Sequence, residues 1–168
     1  NNVFKILEAI RKYNDNCRYL HISSAAVYGN PEKLPVSEDA ACKPLSPYGW
    51  HKLMAENICR EYSTVFHVPV AVVRPFSVYG PGLKKQVFWD IYRKYLQNTT
   101  AVELWGTGSE SRDFIYIDDL VRSFDCIIQH APMSGEMYNI ASGEESSIKD
   151  VVNVFFESMN LKPRLIFN

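Results

Sequence analysis

The chain has 168 residues, 46% of them hydrophobic and 22% charged, which is the composition of a soluble globular protein with one core of ordinary size. Its net charge of −1 gives no general attraction to nucleic acid or to anionic membranes, and no apolar run could span a bilayer. The four cysteines include no CxxC pair, so the sequence predicts reduced thiols, a cytoplasmic location and no metal site.

The first half of the chain alternates between helical and strand patterns. The predicted elements are a helix at residues 1–13, a buried strand at 18–27 that ends in a turn at 28–31, and a polar loop at 32–45. A long helix at 47–66 and a second buried strand at 68–73 follow. A strand, a helix and a strand in that order form a crossover in a parallel sheet, and ligands bind beyond the carboxyl ends of such strands. We therefore expect Ser23, Ser24 and Ser77 at the same sheet edge as Tyr48.

The second half is predicted to contain shorter elements. Helices are expected at residues 87–96, 119–130 and 148–159, and strands at 102–105, 112–117, 137–141 and 163–168. Gly106 and Gly108 stand between two of these strands, which predicts a hairpin turn. Asp118 and Asp119 stand at a strand-to-helix junction, where a carboxylate is more often a helix N-cap than a metal ligand.

A phenol and an ammonium stand one turn apart in the long helix, at Tyr48 and Lys52. A cation held near a phenol favours the phenolate, which can take a proton from an alcohol and return it. Ser24 could hydrogen-bond the same alcohol. The alternative for the pair is a packed ring beside a solvated amine, and for Ser23 and Ser24 it is a satisfied strand terminus.

Five ordered motifs surround these residues: SSAAVYG at 23–29, PYGWHK at 47–52, RPFSVYGPG at 74–82, GTG at 106–108 with RDFIYIDD at 112–119, and YNIASG at 138–143. Together they resemble the extended short-chain dehydrogenase/reductase family, in its nucleotide-sugar epimerase/dehydratase branch. The resemblance implies an α/β fold, with the C-terminal part of a Rossmann-type doubly wound parallel sheet and a smaller α/β substrate-binding domain.

The resemblance also implies a division of the chain. Residues 1–79 would be the later half of the NAD-binding Rossmann domain, with the catalytic residues. Residues 80–168 would be mainly the nucleotide-sugar-binding domain, with 112–131 as a segment that could return to the Rossmann sheet. The eight glycines contain no dinucleotide-binding fingerprint, so we expect the chain to be an internal fragment of a longer protein.

The catalytic residues that the resemblance implies are Ser24, Tyr48 and Lys52. Tyr48 would be the base and acid, and Lys52 would favour its phenolate form and bind the nicotinamide ribose. The expected cofactor contacts are Ser23, Tyr48, Lys52 and Pro75, and the expected substrate contacts are Ser24, Ser77 and Arg112. Arg112 would bind the nucleotide diphosphate, although in isolation it could be a surface arginine paired with Asp113 or Glu110.

The implied reaction is NAD-dependent epimerisation of a nucleoside-diphosphate sugar at C4, through a transient 4-keto intermediate, with NADP as the alternative cofactor. Ala25 and Ala26 stand where 4,6-dehydratases carry Asp-Glu and where sugar-acid decarboxylases carry a Glu at the second position, which disfavours both reactions. Ser77 stands where many epimerases have Asn. The alternatives are an NAD(P)H-dependent 4-keto-sugar-nucleotide reductase and a non-catalytic dinucleotide-binding protein. The resemblance further implies a homodimer formed through helices 1–13 and 47–66.

Overall fold

A computed structural model describes residues 2–168, so the predicted helical residue Asn1 lies outside the described part. The chain divides into two compact units. The first comprises Asn1–Phe76 and Asp118–Ala141, and the second comprises Ser77–Ile117 and Ser142–Asn168. The assignment of cofactor binding to one part of the chain and substrate binding to another stays a prediction.

Residues 2–168 contain five α-helices: α1 Asn2–Tyr13, α2 Pro47–Phe66, α3 Gln86–Gln97, α4 Ile117–His130 and α5 Ile148–Ser158. They contain eight strands: β1 Tyr19–Ile22, β2 Val70–Pro75, β3 Ser77–Tyr79, β4 Ala101–Leu104, β5 Ser111–Tyr116, β6 Ser134–Ile140, β7 Glu145–Ser147 and β8 Arg164–Phe167. Among these residues, no helix combines the length and the apolar character that a membrane span requires.

The first unit is built on a parallel sheet with the strand order β1–β2–β6. All six residues of β2 are buried, as expected for the central strand of a sheet that is covered on both faces. The predicted order of strand, helix and parallel strand is therefore confirmed. The core beneath α1 and α2 consists of Leu7, Cys59, Tyr62, Val68, Val70 and Val72.

Helix α2 begins and ends at the predicted residues. The Ser46 side chain caps it by accepting a hydrogen bond from the amide of Gly49 at 3.1 Å, and Pro47 occupies the first turn, where its missing N–H costs nothing. The helix ends where His67 adopts the left-handed conformation with a φ of 56°. A serine cap and a proline therefore define the start of the helix that carries Tyr48 and Lys52, and the left-handed residue His67 ends it.

The first strand is shorter than predicted. It ends at Ile22, and Ala25–Val27 form a 3-10 helix instead of continuing the strand. The reason is local, because the Ser24 hydroxyl oxygen accepts a hydrogen bond from the amide of Ala26 at 3.2 Å and caps this turn. The second strand is displaced from the predicted 68–73 to 70–75.

The second unit contains two further sheets, one with the order β3–β5–β7 and one formed by β4 and β8. Its core consists of Ile91, Val102, Leu104, Val152 and Phe156. The aromatic rings of Tyr79, Phe88 and Phe114 contact one another, with centroid separations of 5.3 to 6.4 Å. Strands β3 and β7, of three residues each, were not predicted.

The predicted hairpin around Gly106 and Gly108 is wrong. Strand β4 pairs in parallel with β8, whereas β5 pairs with β3 and β7, so the strands on either side of the glycines are not partners within residues 2–168. The Glu110 carboxylate organises the loop instead, accepting hydrogen bonds from the amides of Thr107 and Gly108 at 2.9 Å each.

Asp118 and Asp119 are not N-caps, because α4 already begins at Ile117 and both carboxylates lie in its first turn. They still favour the helix electrostatically, since negative charge is stabilising near a helix N-terminus. Asp119 also forms an ion pair with Arg122 one turn later.

Candidate active site

The carboxyl ends of β1, β2 and β6 meet at one edge of the first unit's sheet. Ser23 and Ser24 follow β1 directly, and Pro75 is the last residue of β2. Ser24 is half-buried and caps the 3-10 turn through its oxygen, so its O–H remains available to donate a hydrogen bond.

The first turn of α2 lies close to this 3-10 turn because Gly49 has no side chain. A Cβ at Gly49 would stand 2.7 Å from the carbonyl oxygen of Ala26, which is closer than real Cβ atoms come, and 3.0 Å from the Cβ of Pro44. The missing side chain thus lets α2 approach the segment that holds Ser24. Tyr48, the residue before this glycine, is 55% exposed, so its phenol is accessible from solvent.

Lys52 connects α2 to the end of β1. Its Nζ donates a hydrogen bond of 2.7 Å to the carbonyl oxygen of Ile22 and lies 5.7 Å from the centroid of the Tyr48 ring. The ammonium is therefore held between the last strand residue before the two serines and the phenol one turn earlier. The structure brings Ser24, Tyr48 and Lys52 together in the same unit, and their catalytic roles stay predictions.

Ser23 is buried, and its hydroxyl donates a hydrogen bond of 2.5 Å to Oε1 of Glu56. Glu56 is itself buried and forms an ion pair with Arg74, whose Nε and Nη2 lie 3.0 and 2.7 Å from its two carboxylate oxygens. Burial opposes the charged form of Arg74, but the hydrogen bonds and charge of Glu56 outweigh this and raise the pKa of its guanidinium.

The Arg74 guanidinium also donates to the Tyr28 hydroxyl at 2.7 Å and to the carbonyl oxygen of Glu38 at 3.1 Å. Tyr28 in turn donates to Oδ1 of Asn139 on β6 at 2.8 Å, so the network joins three strand ends. Burial raises the pKa of the Tyr28 phenol, although the hydrogen bond from Arg74 acts in the opposite direction.

The sequence analysis did not single out Glu56 or Arg74. A signal was available, because an arginine in an otherwise apolar buried strand requires a buried partner, and Glu56 stands one helical turn after Lys52. Which acidic residue would be that partner could not be read from spacing alone.

His21, on β1, is 7% exposed, and its Nε2 has no hydrogen-bond partner within the part of the chain that the structure describes. Its Nδ1 lies 3.3 Å from the Tyr19 hydroxyl. Burial, followed by the positive charge of Lys52, lowers the pKa of the imidazole. The ring is therefore neutral beside the Lys52 ammonium at neutral pH.

Two of the three predicted substrate contacts, Ser77 and Arg112, belong to the second unit. Ser77 was expected at the edge of the first sheet, but the chain leaves that sheet after Phe76, and Ser77 begins β3 opposite Phe114. Arg112 is exposed and forms no ion pair among residues 2–168.

The alternative partners of Arg112 are occupied by other groups. The Asp113 carboxylate accepts hydrogen bonds from the amide and hydroxyl of Ser142 and from the amide of Gly143, at 2.7 to 2.9 Å. Glu110 accepts from its own loop, as described above. The surface ion pair considered for Arg112 is therefore not formed, and its contact with a diphosphate, like the cofactor contacts of Ser23 and Pro75, stays a prediction.

A parallel α/β sheet with serine, tyrosine and lysine at its carboxyl edge defines a Rossmann-type protein of the short-chain dehydrogenase/reductase class. The NAD dependent epimerase/dehydratase family matches residues 1–141, and the chain belongs to this family. The predicted family and fold class are thereby confirmed.

Similarity to individual relatives supports the assignment to this family. An uncharacterized UDP-glucose epimerase of Bacillus subtilis (strain 168) is 33% identical over 165 residues, which are 98% of this chain and 51% of that protein. A putative UDP-glucose 4-epimerase of Methanocaldococcus jannaschii is 29% identical over 167 residues, covering 97% and 53% of the two chains. The chain thus spans about half the length of the curated relatives it matches.

Among solved structures, UDP-glucuronic acid 4-epimerase from Bacillus cereus, in complex with UDP-glucuronic acid and NAD, is similar with a TM-score of 0.87 and 32% identity. The match covers 98% of this chain and 52% of that one. The RMD protein of Pseudomonas aeruginosa, complexed with NADPH, is similar with a TM-score of 0.88 and 26% identity, over 99% and 59% of the two chains.

Proposed function

We propose that the complete protein is an NAD-dependent nucleotide-sugar 4-epimerase. The observation that carries this proposal is the position of the Lys52 ammonium, which is bonded to the Ile22 carbonyl and lies beside the Tyr48 ring. The Bacillus cereus enzyme, which acts as a UDP-glucuronic acid 4-epimerase and binds NAD, supports the reaction and the cofactor by similarity.

The residues at the sheet edge fit a dinucleotide cofactor. The Lys52 ammonium has three hydrogens, of which the Ile22 carbonyl takes one, so the others can be donated to ribose hydroxyls. The Tyr48 phenol is exposed and can donate or accept in the same place. We assign the ribose contacts to these two side chains, and further cofactor contacts to Pro75 and to the backbone of Ser23, whose hydroxyl hydrogen is donated to Glu56. When bound, NAD supplies the capacity to take up hydride from the sugar and return it.

The proton chemistry belongs to the chain's own residues. The Tyr48 phenolate takes the proton of the sugar 4-hydroxyl as the C4–H bond breaks, and it returns this proton to the oxygen when the bond re-forms on the other face. Lys52 stabilises the phenolate by its charge, and the Ser24 hydroxyl donates a hydrogen bond to the sugar oxygen. Arg112 and Ser77 bind the nucleotide-sugar, with Arg112 on the diphosphate.

Dehydration would require groups that the turn after Ser24 lacks. Its residues Ala25 and Ala26 present only methyl groups, which can neither remove a carbon-bound proton nor protonate a leaving hydroxyl. Reduction of a 4-keto sugar uses the same tyrosine and lysine, and the GDP-6-deoxy-D-mannose reductase of Pseudomonas aeruginosa is 27% identical over 168 residues. A keto-reductase is therefore the second candidate.

The deciding experiment incubates the complete protein with UDP-, dTDP-, GDP- and CDP-sugars without added reductant and separates the products. Conversion to the C4 epimer with no net change in nicotinamide absorbance is the expected result. Conversion that requires a 4-keto sugar and stoichiometric reduced cofactor would establish the reductase instead. Nucleotide binding without either reaction would overturn both in favour of a binding protein.

The role of Tyr48 is tested by Tyr48→Phe, which keeps the ring and removes only the hydroxyl. Turnover should be abolished while the thermal unfolding midpoint stays the same, because the residue is half exposed. The matched control is Tyr95→Phe, whose ring packs on Phe156 in the second unit with centroids 5.4 Å apart. Near-normal activity of Tyr48→Phe would refute the assignment.

A homodimer formed through α1 and α2 is the assembly we propose. Both helices expose large apolar side chains, and Phe4, Ile6, Met54 and Val65 are each between 46% and 61% exposed. Exposed apolar side chains on two neighbouring helices are compatible with a surface that another protein covers. Light scattering of the complete protein should give a dimer that Ile6→Glu dissociates, whereas Val154→Glu on α5 should leave it intact. A monomeric wild-type protein would refute the dimer.

A further inference from the structure

Two successive turns of α2 bind two successive residues at the end of β1. Lys52 donates to the carbonyl of Ile22, and Glu56, one turn later, accepts from the hydroxyl of Ser23 at 2.5 Å. The apolar side chains of α2 already pack in the core, but such packing is less directional than hydrogen bonds. Two hydrogen bonds spaced by one turn restrict further both the rotation of the helix and its position along its axis.

Glu56 is in turn held by Arg74 near the end of β2. The guanidinium meets the carboxylate with two hydrogen bonds of 3.0 and 2.7 Å, and the two side chains are only 2% and 1% exposed. A fork of this kind fixes the direction of the carboxylate as well as its distance. The Glu56 oxygen that accepts from Ser23 also accepts from Nε of Arg74, so the arginine orients this acceptor.

The Glu56–Arg74 ion pair is energetically less favourable than apolar side chains as a way of filling the core. Removing two charges from water carries a large desolvation penalty, and apolar residues of similar volume often stabilise a fold equally well or better. Its position suggests another benefit, since the pair contacts the residue immediately before Ser24 and lies on the helix that carries Tyr48 and Lys52. Through Tyr28 and Asn139 the pair is also connected to β6, which completes the set of strand ends at this edge.

We propose that Glu56, oriented by Arg74, is a positioning residue that fixes the register of α2 against the end of β1 and thereby the placement of Ser24 relative to Tyr48 and Lys52. Neither Glu56 nor Arg74 touches the substrate in this role. The positioning itself does not depend on the proposed function, but its catalytic consequence does. Ser23 is the connection through which the pair acts on the serine turn.

The test must separate this role from simple core stability. In the double variant E56M/R74M, neither charge remains unpaired in the core, so the fold should survive with a thermal midpoint within about 5 °C of wild type. In the complete protein we expect kcat to fall by about 10- to 100-fold, because small misplacements of catalytic groups are costly, while KM stays within about threefold. The matched control is Glu32→Gln, which breaks the exposed Glu32–Lys43 ion pair and should leave all three quantities unchanged.

A folded E56M/R74M variant with wild-type kcat would overturn the proposal. If that variant does not fold, Ser23→Ala tests the proposal instead, because it removes one hydroxyl and leaves the Glu56–Arg74 pair intact. Its kcat should fall by about three- to tenfold, the effect of one hydrogen bond, and an unchanged kcat would overturn the proposal.

If the wild-type protein itself turns over no sugar, the proposed function fails, and crystal structures test the positioning separately. The hydrogen bond from Lys52 Nζ to the Ile22 carbonyl, 2.7 Å in the wild-type chain, should be lost in whichever of the two variants folds. A bond retained at its original length would overturn the proposal independently of any activity.

Discussion

The Nζ atom of Lys52 donates a hydrogen bond of 2.7 Å to the carbonyl oxygen of Ile22, the last residue of β1. The lysine therefore does more than place a charge near Tyr48, because it also connects α2 to β1, the strand that precedes Ser24. A strongly hydrated ammonium on a long flexible stem can serve as such a point donor and keep hydrogens for a second partner.

Lys52→Met should abolish the charge and this hydrogen bond while retaining much of the apolar stem. We expect kcat to fall by about 100-fold or more, the range of an impaired proton transfer. Thermal stability should change little, because the variant loses a single exposed hydrogen bond and Ile22 is itself 48% exposed. The activity assay is compared with Lys33→Met, at an exposed loop position, and wild-type kcat in Lys52→Met would contradict the prediction.

Gly49→Ala should destabilise the fold although alanine is the better helix former. The new Cβ would meet the Ala26 carbonyl oxygen at 2.7 Å, and this backbone atom cannot move away without shifting the 3-10 turn. We expect a loss of about 1 to 3 kcal/mol in the free energy of unfolding, the usual cost of overpacking, together with reduced kcat. Urea unfolding measures the first effect.

The control for this substitution is Thr64→Ala, at an exposed position of the same helix. Alanine there has a higher helix propensity and no steric conflict, so stability should be unchanged or slightly higher. A Gly49→Ala protein as stable as wild type would show that α2 does not need its close approach to the serine turn.

Local signals made the central part of the fold predictable. The bounds of α2 follow from a serine cap, a proline in the first turn and apolar spacing, all of which lie within the segment itself. The parallel pairing of β1 and β2 follows from the order of strand, helix and strand. Tyr48 and Lys52 could therefore be placed on one helix near the end of a strand before any coordinates were known.

Features that depend on distant contacts were not predictable in the same way. The end of β1 is set by the cap that Ser24 forms, and a serine signals either a strand end or a continuing strand until its partners are known. The glycines after β4 suggested a hairpin, yet β4 pairs with β8 some sixty residues later, and no local pattern encodes that choice. The Glu56–Arg74 pair likewise joins two residues that are eighteen positions apart in sequence.

Stability should fall in mildly acidic solution because of His21. Burial, together with the Lys52 charge, lowers the pKa of its imidazole below the ordinary value of 6.5, while the nearby Glu56 carboxylate acts in the opposite direction. The unfolded chain therefore binds this proton more readily than the folded one. The part of the folding stability that depends on a neutral His21 ring is fully present above about pH 6.5. It is lost progressively as the pH falls below that value.

The measurement is the free energy of unfolding of wild type and His21→Phe at pH 7.5 and 5.5. Phenylalanine has no titratable nitrogen and leaves no unpaired Nε2, so the variant should lose less stability between the two pH values. His51→Gln, at an exposed position of α2, should follow the wild-type dependence. Equal pH dependence in His21→Phe and wild type would contradict the assignment.

Arg112→Lys tests the arginine that we assign to the nucleotide diphosphate. Lysine keeps the positive charge but cannot form two parallel hydrogen bonds to phosphate oxygens. Because this contact is the same in the ground state and the transition state, KM should rise by about tenfold while kcat stays near wild type. The structural side effects should be small, since Arg112 is exposed and has no ion-pair partner among residues 2–168 to lose.

Titration calorimetry with UDP, dTDP, GDP and CDP extends this test to binding alone. The nucleotide that wild type binds should bind Arg112→Lys more weakly, whereas Arg93→Lys, at an exposed position of α3, should bind it as wild type does. If Arg112→Lys loses no affinity for any of the four, a different cation holds the diphosphate. If it loses kcat but not affinity, the guanidinium acts on the transition state and Arg112 belongs with the catalytic residues.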